Sequence, residues 1–373
     1  MAKKRAGPAV EPRGPFSLPA FRRALLTWFD RARRDLPWRH SRDPYRIWVS
    51  EVMLQQTTVA AVVPYFQRFV AAFPTVQALA DASETDVLRH WEGLGYYRRA
   101  RHLHASAKLL AARGEPLPDD AEFWRALPGV GRYILGAVLS QAFERRLPVV
   151  EANTLRVLAR LFGYADDPRT GAGQAWLWAT AARLLPRARV GDFNQAMMEL
   201  GALVCSPKSP ACGTCPVAKY CAARADGSQG RIPRPKLAKP TVDVRDVALV
   251  VRDGGRVLLG RRPATAARWA NLWEFPHAEL RPGETLDDAA MRLAATIGIA
   301  VRLGAEVLTV RHGVTRFAIA MTAFAAARLA GDAGGDFYAE WQWLLPAELP
   351  AYPVSSPQRK LAEALRQPGL FDC

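Results

Sequence analysis

The chain has 373 residues, half of them hydrophobic, and its 51 Lys and Arg outnumber its 35 Asp and Glu for a formal net charge of +16. That length is enough for two domains with separate cores, and the hydrophobic fraction excludes a disordered chain. The positive charge favours an anionic partner, nucleic acid first, with an Arg-rich coding bias as the plainer alternative.

The first 15 residues are basic and lack the apolar segment of a secretory signal. They are expected to form a flexible arm of an intracellular, cytoplasmic protein, associated with the nucleoid if the source is bacterial. No apolar run is long enough to cross a bilayer, so no membrane association is expected.

Residues 16–225 repeat apolar side chains every three or four positions, as in "AFRRALLTWFDRARR", which predicts an all-helical region. A linker rich in Pro, Gly and Lys is predicted over 226–243. Residues 244–367 alternate around a Gly-Gly turn, which predicts a β-hairpin, followed by a helix and two further strands. The second domain is therefore expected to be α+β, with 368–373 as a tail.

Glu51 is the one acid of an apolar, amide-rich helix predicted within residues 44–66. Such surroundings raise the pKa of a carboxyl group and keep it protonated, which suits a general acid. The alternative is a structural glutamate hydrogen-bonded to a neighbouring helix, and spacing alone favours that alternative.

The segment "FWRALPGVGRYILGAVLS" (123–140) predicts two helices joined by a tight turn. Gly129 and Gly131 would let the backbone turn sharply and present N–H groups at the start of the second helix, a site suited to a DNA phosphate. An ordinary helical joint is about equally consistent with this pattern.

In "RLPVVEANTLRVLARLFGY" (146–164) an apolar run ends at Val150, and a helix is predicted after Asn153. Glu151 stands between them. It is either an acid stabilised at a helix N-terminus or the second carboxylate of a catalytic pair.

Four of the five cysteines form a C-x6-C-x2-C-x5-C array: Cys205, Cys212, Cys215 and Cys221. Four thiolates this close together can enclose one zinc ion or an iron–sulfur cube, and the uneven spacing does not match a zinc ribbon. Cys373, the last residue, is expected to be a free thiol without a role.

The cysteine spacing resembles the [4Fe–4S] loop of the endonuclease III superfamily of DNA glycosylases, and the LPGVG segment resembles its helix-hairpin-helix. Further motifs follow in order: "LPWR", "SEVMLQQT", "WEGLGYYRRAR" and "FNQAMMELGALVC". Together they are similar to adenine DNA glycosylases of the MutY type. "RRPATAARWANLWEFP" extends the resemblance into the second domain, which is similar to the family's Nudix-like reader of 8-oxoguanine.

The resemblance implies a multidomain protein: an all-α helix-hairpin-helix glycosylase region with an iron–sulfur loop, then an α+β Nudix-like domain. It implies a monomeric base-excision-repair enzyme. The enzyme would flip adenine out of double-stranded DNA, opposite 8-oxoguanine or G, and hydrolyse its N-glycosidic bond. Relatives that also cleave the backbone carry a lysine at the position of Tyr133, so a monofunctional glycosylase is expected.

The family also implies roles for individual residues. Glu51 would protonate adenine, Glu151 would be the second carboxylate, and Tyr133 and Asn153 would organise the sugar site. The residues implied in binding the substrate are Trp38, Arg39, Leu54 and Glu199 around adenine, Gln56 and Tyr96 as wedges in the duplex beside the opposite base, Thr57, and Thr315 in the 8-oxoguanine loop.

This chain departs from the family at two places. Glu-Ala-Asn (151–153) stands where the family has Asp-Gly-Asn, and Val-Thr-Arg (314–316) stands where it has Phe-Ser-His. The segment after "RPGET" lacks the dense run of acids needed to hold Mg²⁺, so the second domain is expected to bind rather than hydrolyse. The rival interpretations are a thymine-mismatch or oxidised-pyrimidine glycosylase, and a damage-binding protein with weakened catalysis.

Overall fold

A computed structural model describes residues 16–114, 116–236 and 240–366. The predicted arm and tail, with Cys373, lie outside these ranges. Among the described residues, no helix combines the length and apolar content needed to span a bilayer.

The chain divides into two compact units, and the division differs from the predicted boundary. The first unit is Met1–Gln77 with Ala105–Leu237, and the second is Ala78–His104 with Ala238–Cys373. The segment Ala78–His104 was predicted as part of the helical region. It belongs instead to the second unit, because its polar side chains pair with residues far along the chain, such as Glu92 with Arg359 at 2.5 Å.

The first unit is built from helices, and two helices run across the division between the units. The helices of this part of the chain are α1 (Leu18–Ala32), α2 (Pro44–Leu54), α3 (Val59–Ala72), α4 (Val76–Asp81), α5 (Glu84–Trp91), α6 (Arg98–Arg113), α7 (Ala121–Ala126), α8 (Arg132–Phe143), α9 (Ala152–Phe162), α10 (Gly171–Leu184), α11 (Val190–Leu203) and α12 (Ala222–Ala225). Of these, α5 lies in the second unit, while α4 and α6 cross the division. Short 3-10 turns lie at Pro37–Arg39 and Ala218–Tyr220.

The main helical core is built from apolar faces of α1, α9, α10 and α11. Phe21, Leu25 and Phe29 recur every four residues along α1 and are buried there. That spacing places them on one stripe of the helix. The partly buried cysteines Cys205, Cys215 and Cys221 pack against the same core.

The single helix expected over residues 44–66 is interrupted. Helix α2 ends at Leu54, Gln56 takes a left-handed backbone with φ of 60°, and Thr58 caps α3 by accepting a hydrogen bond from the Ala61 N–H. A non-glycine residue at positive φ cannot continue a right-handed helix.

The second unit contains a seven-stranded mixed sheet. Its strands are β1 (Val242–Asp253), β2 (Arg256–Arg261), β3 (Trp273–Glu274), β4 (His277–Glu279), β5 (Ala300–Val314), β6 (Phe317–Ala330) and β7 (Glu340–Leu344). The main order is β3-β2-β1-β6-β5, with β4 also paired to β1 and β7 to β2. Strands β1 and β6 are parallel, and β5 and β6 form a long antiparallel hairpin.

One helix covers each face of this sheet. Alternate residues of β1 face opposite ways: Val247 and Leu249 pack with α13 (Leu286–Thr296), whereas Ala248 and Val250 pack with α14 (Ser356–Ala364). Because both faces are covered, β1 is apolar at consecutive positions instead of alternating. The predicted α+β domain, its β1–β2 hairpin and its β5–β6 strands are confirmed.

Candidate active site and iron–sulfur loop

Glu51 lies in the last turns of α2 and is only 3% exposed. Its two carboxylate oxygens accept hydrogen bonds from the Tyr133 hydroxyl and, at 2.8 Å, from the Gln141 side-chain amide. Burial raises the pKa of Glu51 despite these two donors and the nearby Arg39. A raised pKa means that the carboxyl group holds its proton more strongly, which suits a general acid.

Helix α8 supplies both of these donors. Tyr133 and Gln141 are eight residues apart, so they lie two turns apart on one stripe of the helix, with Ala137 between them. The Tyr133 hydroxyl also lies 3.9 Å from the Met198 sulfur of α11. Burial and the neighbouring Glu51 hold the pKa of Tyr133 well above its ordinary value, so its hydroxyl stays a donor.

Glu151 is the N-cap of α9. Its carboxylate accepts the backbone N–H groups of Asn153 and Thr154 at 2.8 and 2.9 Å, while the Thr154 hydroxyl accepts the Glu151 N–H at 2.7 Å. This reciprocal capping box anchors the longer side chain by its end. The added methylene is therefore accommodated without loss of the cap.

Glu151 interacts electrostatically with both Glu51 and Tyr133. Burial raises the pKa of Glu151, and the charge of Glu51 adds to this, against the two backbone donors and Arg156. The charge of Glu151 in turn contributes to the raised pKa of Tyr133. The fold thus brings the two predicted carboxylates and the predicted tyrosine into one electrostatic cluster.

Asn153 is held by Arg156, one turn further along α9. The Arg156 guanidinium donates to the Asn153 side-chain oxygen at 2.8 Å, to the Gly201 carbonyl at 2.8 Å and to the Cys205 carbonyl at 2.7 Å. One side chain therefore ties the start of α9 to α11 and to the cysteine loop.

Glu199, predicted to contact adenine, is 1% exposed and is paired with two arginines. Its carboxylate accepts from Arg34 at 2.8 Å and from Arg39 at 3.0 Å. Burial alone would raise the pKa of Glu199, but these donors outweigh it and lower the pKa to about 2. Arg39 also donates to Gln195 at 2.7 Å, so its guanidinium is fixed in place.

The other predicted adenine contacts lie in or near this region. Trp38 is buried and packs edge-on against Phe66 at a centroid distance of 5.3 Å. Leu54 is partly exposed at the end of α2. The roles of these side chains in binding adenine remain predictions.

Gln56 and Tyr96, the two predicted wedge residues, belong to different units but have the same unusual backbone conformation. Both have left-handed backbones, with φ of 60° and 49°, and both are exposed, Tyr96 by 49%. Strained non-glycine residues at exposed turns are concentrated at functional sites. Thr57, beside Gln56, is partly buried.

The LPGVG turn connects α7 and α8 as predicted. Gly129 has φ of 76°, and Gly131 is the N-cap of α8 with no side chain to cap the helix and nothing within 4 Å of where a Cβ would stand. Both glycines are exposed. This helix start can be approached by a phosphate group.

The four cysteines lie close enough together for the other three to act on the charge of Cys215, and two of them contact Arg160 of α9. The Cys205 sulfur accepts from Arg160 at 3.3 Å, and the Cys221 thiol donates to the Arg160 carbonyl at 3.4 Å. Arg160 also donates to the Ser206 and Pro207 carbonyls at 2.7 and 2.9 Å. The loop backbone is thereby folded around a buried guanidinium.

The sulfur atoms fit a multi-iron centre. Burial, with the charges of the other three cysteines, raises the pKa of Cys215 to about 11. Iron cations would relieve this repulsion and displace the thiol protons. In residues 16–114, 116–236 and 240–366, no three His, Cys, Asp or Glu side chains are arranged to hold a single metal ion.

Thr315 occupies the turn between β5 and β6, with φ of 55°, and its hydroxyl donates to the Val314 carbonyl. The turn lies beside an open pocket of about 630 Å³. Its charged lining residues are Asp243, Arg245, Arg311 and Arg316. The Arg316 guanidinium lies 5.2 Å from the centre of the Phe317 ring, which lines the same pocket.

Three family models match the chain in the predicted order. Residues 49–179 match the HhH-GPD superfamily of base excision DNA repair proteins, 205–221 the iron–sulfur binding domain of endonuclease III, and 247–364 the NUDIX domain. The predicted [4Fe–4S] cluster is confirmed by the second match, which begins and ends on Cys205 and Cys221.

An adenine DNA glycosylase from Buchnera aphidicola of Schizaphis graminum is 32% identical over 70% of this chain and 76% of its own length. The chain belongs to the adenine DNA glycosylase family. The Rattus norvegicus member is 39% identical over 70% of this chain and 61% of its own length, so the chain spans about three fifths of that relative. Among solved structures, a thermostable thymine-DNA glycosylase is similar with a TM-score of 0.51 and 29% identity, over 56% of this chain and 97% of its own.

Sequence reasoning missed several side chains that support the family site. Gln141 holds Glu51, Arg34 pairs with Glu199, and Arg156 holds Asn153. Gln141 could have been found, because it is a polar residue at the i+8 position from Tyr133 in an otherwise apolar helix. Arg34 could not, since 165 residues separate it from its partner.

Proposed function

We propose that the protein hydrolyses the N-glycosidic bond of adenine opposite 8-oxoguanine or G in double-stranded DNA. The observation that carries this proposal is the buried Glu51, held by Tyr133 and Gln141 beside the capped Glu151. Two carboxylates in different surroundings are the usual apparatus of glycoside hydrolysis.

In the proposed reaction, the flipped adenine accepts the proton of Glu51 as its bond to the sugar breaks. The electron pair of that bond leaves with the base, and positive charge develops on the sugar. Glu151 stabilises this charge as a carboxylate, oriented by the Asn153 and Thr154 N–H groups. Water then adds to the sugar and gives a proton to the Glu51 carboxylate, which restores the acid, so adenine and an abasic sugar are the products. Tyr133 offers no amine for a Schiff base, so the backbone is left intact.

DNA is the proposed partner on the evidence of both units. In the first, the uncapped start of α8 at Gly131 offers N–H groups to a phosphate. In the second, Arg245, Arg311 and Arg316 line the pocket beside Thr315, where we propose that the opposite base is read. Arg316 replaces the family's histidine there and can donate two parallel hydrogen bonds to a purine edge.

The proposal is tested by measuring base release under single-turnover conditions. Three duplexes are compared, which carry A opposite 8-oxoguanine, A opposite G and T opposite G. Glu51→Gln should lower adenine release by on the order of 10²-fold or more while DNA binding is kept. Glu122→Gln, the same change on the exposed first turn of α7, is the matched control. Near-parental rates in Glu51→Gln would contradict the acid assignment.

The similarity to a thymine-DNA glycosylase supports one alternative, removal of thymine opposite G. Cleavage of the T opposite G duplex in preference to both adenine duplexes would establish it. Tight binding without cleavage of any duplex would instead indicate a damage-binding protein.

The monomeric state and the cytoplasmic, DNA-associated location are also proposals. Light scattering of the purified protein tests the first, and imaging of the tagged chain tests the second.

A further inference from the structure

The turn that presents Tyr96 is made almost entirely of left-handed residues. Gly93, Gly95 and Tyr96 have φ of 95°, 70° and 49°. Such a turn keeps one shape only when surrounding contacts hold it. The source of those contacts therefore decides where the exposed tyrosine ring stands.

Some contacts come from the flanking helices. The Trp91 indole N–H donates to the Gly95 carbonyl at 3.1 Å, and Arg99 donates to the same carbonyl at 3.2 Å. The Arg99 guanidinium also lies between the rings of Trp91 and Tyr96, 5.3 and 5.4 Å from their centres. These contacts fix the turn against α5 and α6, but they do not fix α5 itself.

A second set of contacts comes from the C-terminal part of the same unit. Arg359 of α14 forms a two-pronged ion pair with Glu92, the first residue after α5, at 2.5 and 2.8 Å. The Tyr97 hydroxyl donates to the Val354 carbonyl at 3.1 Å. The residues on both sides of the Gly93–Tyr96 turn are thus bound to the segment that leads into α14.

Arg359 is itself rigidly placed. Its remaining N–H groups donate to the carbonyls of Leu349 and Tyr352 at 3.0 and 2.7 Å. The ion pair is largely shielded from water, with the two side chains 19% and 16% exposed. The guanidinium therefore joins the backbone before α14 to the end of α5.

The other end of α5 is also held from the C-terminal part of the unit. The Asn271 side-chain amide donates to the Glu84 carboxylate at 2.5 Å, and Glu84 is the first residue of α5. Helix α5 is accordingly bound at both ends by residues more than 180 positions away, and the Tyr96 turn continues from it.

We propose that Arg359 is a positioning residue: through its ion pair with Glu92 it sets the place of Tyr96, so that the Nudix-like fold controls how the tyrosine enters the duplex. This inference rests on the proposed function and on the role that the family resemblance implies for Tyr96, beside the opposite base. It assigns the second unit a part in shaping the DNA wedge, separate from reading the opposite base at Thr315.

A double-mutant cycle of Arg359→Gln with Tyr96→Ala tests the proposal. Stacking is followed by the fluorescence of 2-aminopurine placed next to the opposite base, and adenine release is measured at DNA concentrations below saturation. Arg359→Gln should lower the release rate by about tenfold, since misplacing a contact group by about 1 Å costs up to 10²-fold. It should have little further effect once Tyr96 is alanine, and Glu92→Gln should reproduce it in a second variant.

Arg292→Gln is the matched control. Arg292 and Glu284 form an ion pair of the same two-pronged geometry, at 2.6 and 2.8 Å, in the same unit, and their further hydrogen bonds join Glu279 and Arg281. This variant should keep its rate within about twofold, even if its melting temperature falls as much as that of Arg359→Gln.

The outcomes separate the two levels of inference. If Tyr96→Ala changes neither fluorescence nor rate, the proposed role of the tyrosine fails, and the positioning role fails with it. Suppose instead that Tyr96→Ala lowers the rate of adenine release. The positioning role alone is overturned if the rate losses of Tyr96→Ala and Arg359→Gln are additive in the double variant. It is also overturned if Arg292→Gln lowers the rate as much as Arg359→Gln does.

Discussion

Gly201 allows α11 to approach the first turn of α9 at Asn153. A Cβ at position 201 would lie 2.5 Å from the Asn153 Cβ and 3.1 Å from its Cα and carbonyl carbon. Carbon atoms in contact normally stand about 3.5–4.0 Å apart, so Gly201→Ala must separate the two helices by roughly 1 Å. The shift falls on Asn153, two residues after the Glu151 cap.

The expected cost has two parts. Overpacking of this kind destabilises a protein by about 1–3 kcal/mol. A displacement of about 1 Å at the reacting groups lowers a rate by on the order of 10²-fold. The Arg156 bond to the Gly201 carbonyl, 2.8 Å long, would transmit part of the strain to Asn153.

Single-turnover adenine release by the folded protein, together with the free energy of unfolding, separates these parts. Gly173→Ala, in α10, is the matched control, because its Cβ would lie 2.6 Å from the Asp167 carbonyl oxygen and from the Pro168 Cα. It should lose similar stability but keep its rate. Gly171→Ala, with open space around the Cβ, should change neither. Equal rates in Gly201→Ala and Gly173→Ala would refute the reasoning.

The remaining predictions concern single residues of the site. Glu151→Asp should keep the rate of adenine release within about tenfold of the parent, because aspartate also caps a helix. Glu151→Gln should lower the rate by on the order of 10²-fold, because an amide carries no charge to stabilise the sugar cation. An unchanged rate in Glu151→Gln would mean that the residue only caps the helix. The pKa of Glu199 falls from an ordinary 4.5 to about 2, so its ionisation stabilises the fold above pH 4.5 by roughly 3 kcal/mol, and this is lost as the pH falls through 2. Unfolding free energies of the parent and Glu199→Gln should therefore converge towards pH 2, and a constant difference would contradict the ion-pair assignment. The rate of adenine release should decline as the pH rises through the raised pKa of Glu51. In Glu51→Gln the residual rate should not show this decline, and measuring both pH profiles checks the assignment. Cys215→Ser should remove the visible absorbance of the cluster and destabilise the Arg160-centred loop; an unchanged melting temperature would show that the loop folds without its centre.

Local features of the sequence predicted the architecture well. Helical periodicity, the Gly-Gly hairpin and the cysteine spacing are short-range patterns, and each follows from backbone geometry or ligand chemistry over a few residues. The family motifs likewise pointed to Glu51 and Tyr133, which the fold brings together although they are 82 positions apart. The domain boundary was less accurate, because the place of Ala78–His104 depends on partners such as Arg359 that no local pattern indicates.

The sequence by itself determined which chemical groups this protein carries and their order along the chain. They are two carboxylates, a tyrosine at the position where backbone-cleaving relatives have a lysine, and four cysteines. It left open whether Glu151 is a helix cap or half of a pair. Only the tertiary structure decided that Glu151 is the cap of α9 and lies within electrostatic reach of Glu51. Its part in a catalytic pair stays a prediction. Burial also raises the pKa of Glu51, whereas paired arginines lower that of Glu199, a difference that depends on neighbours brought together by folding.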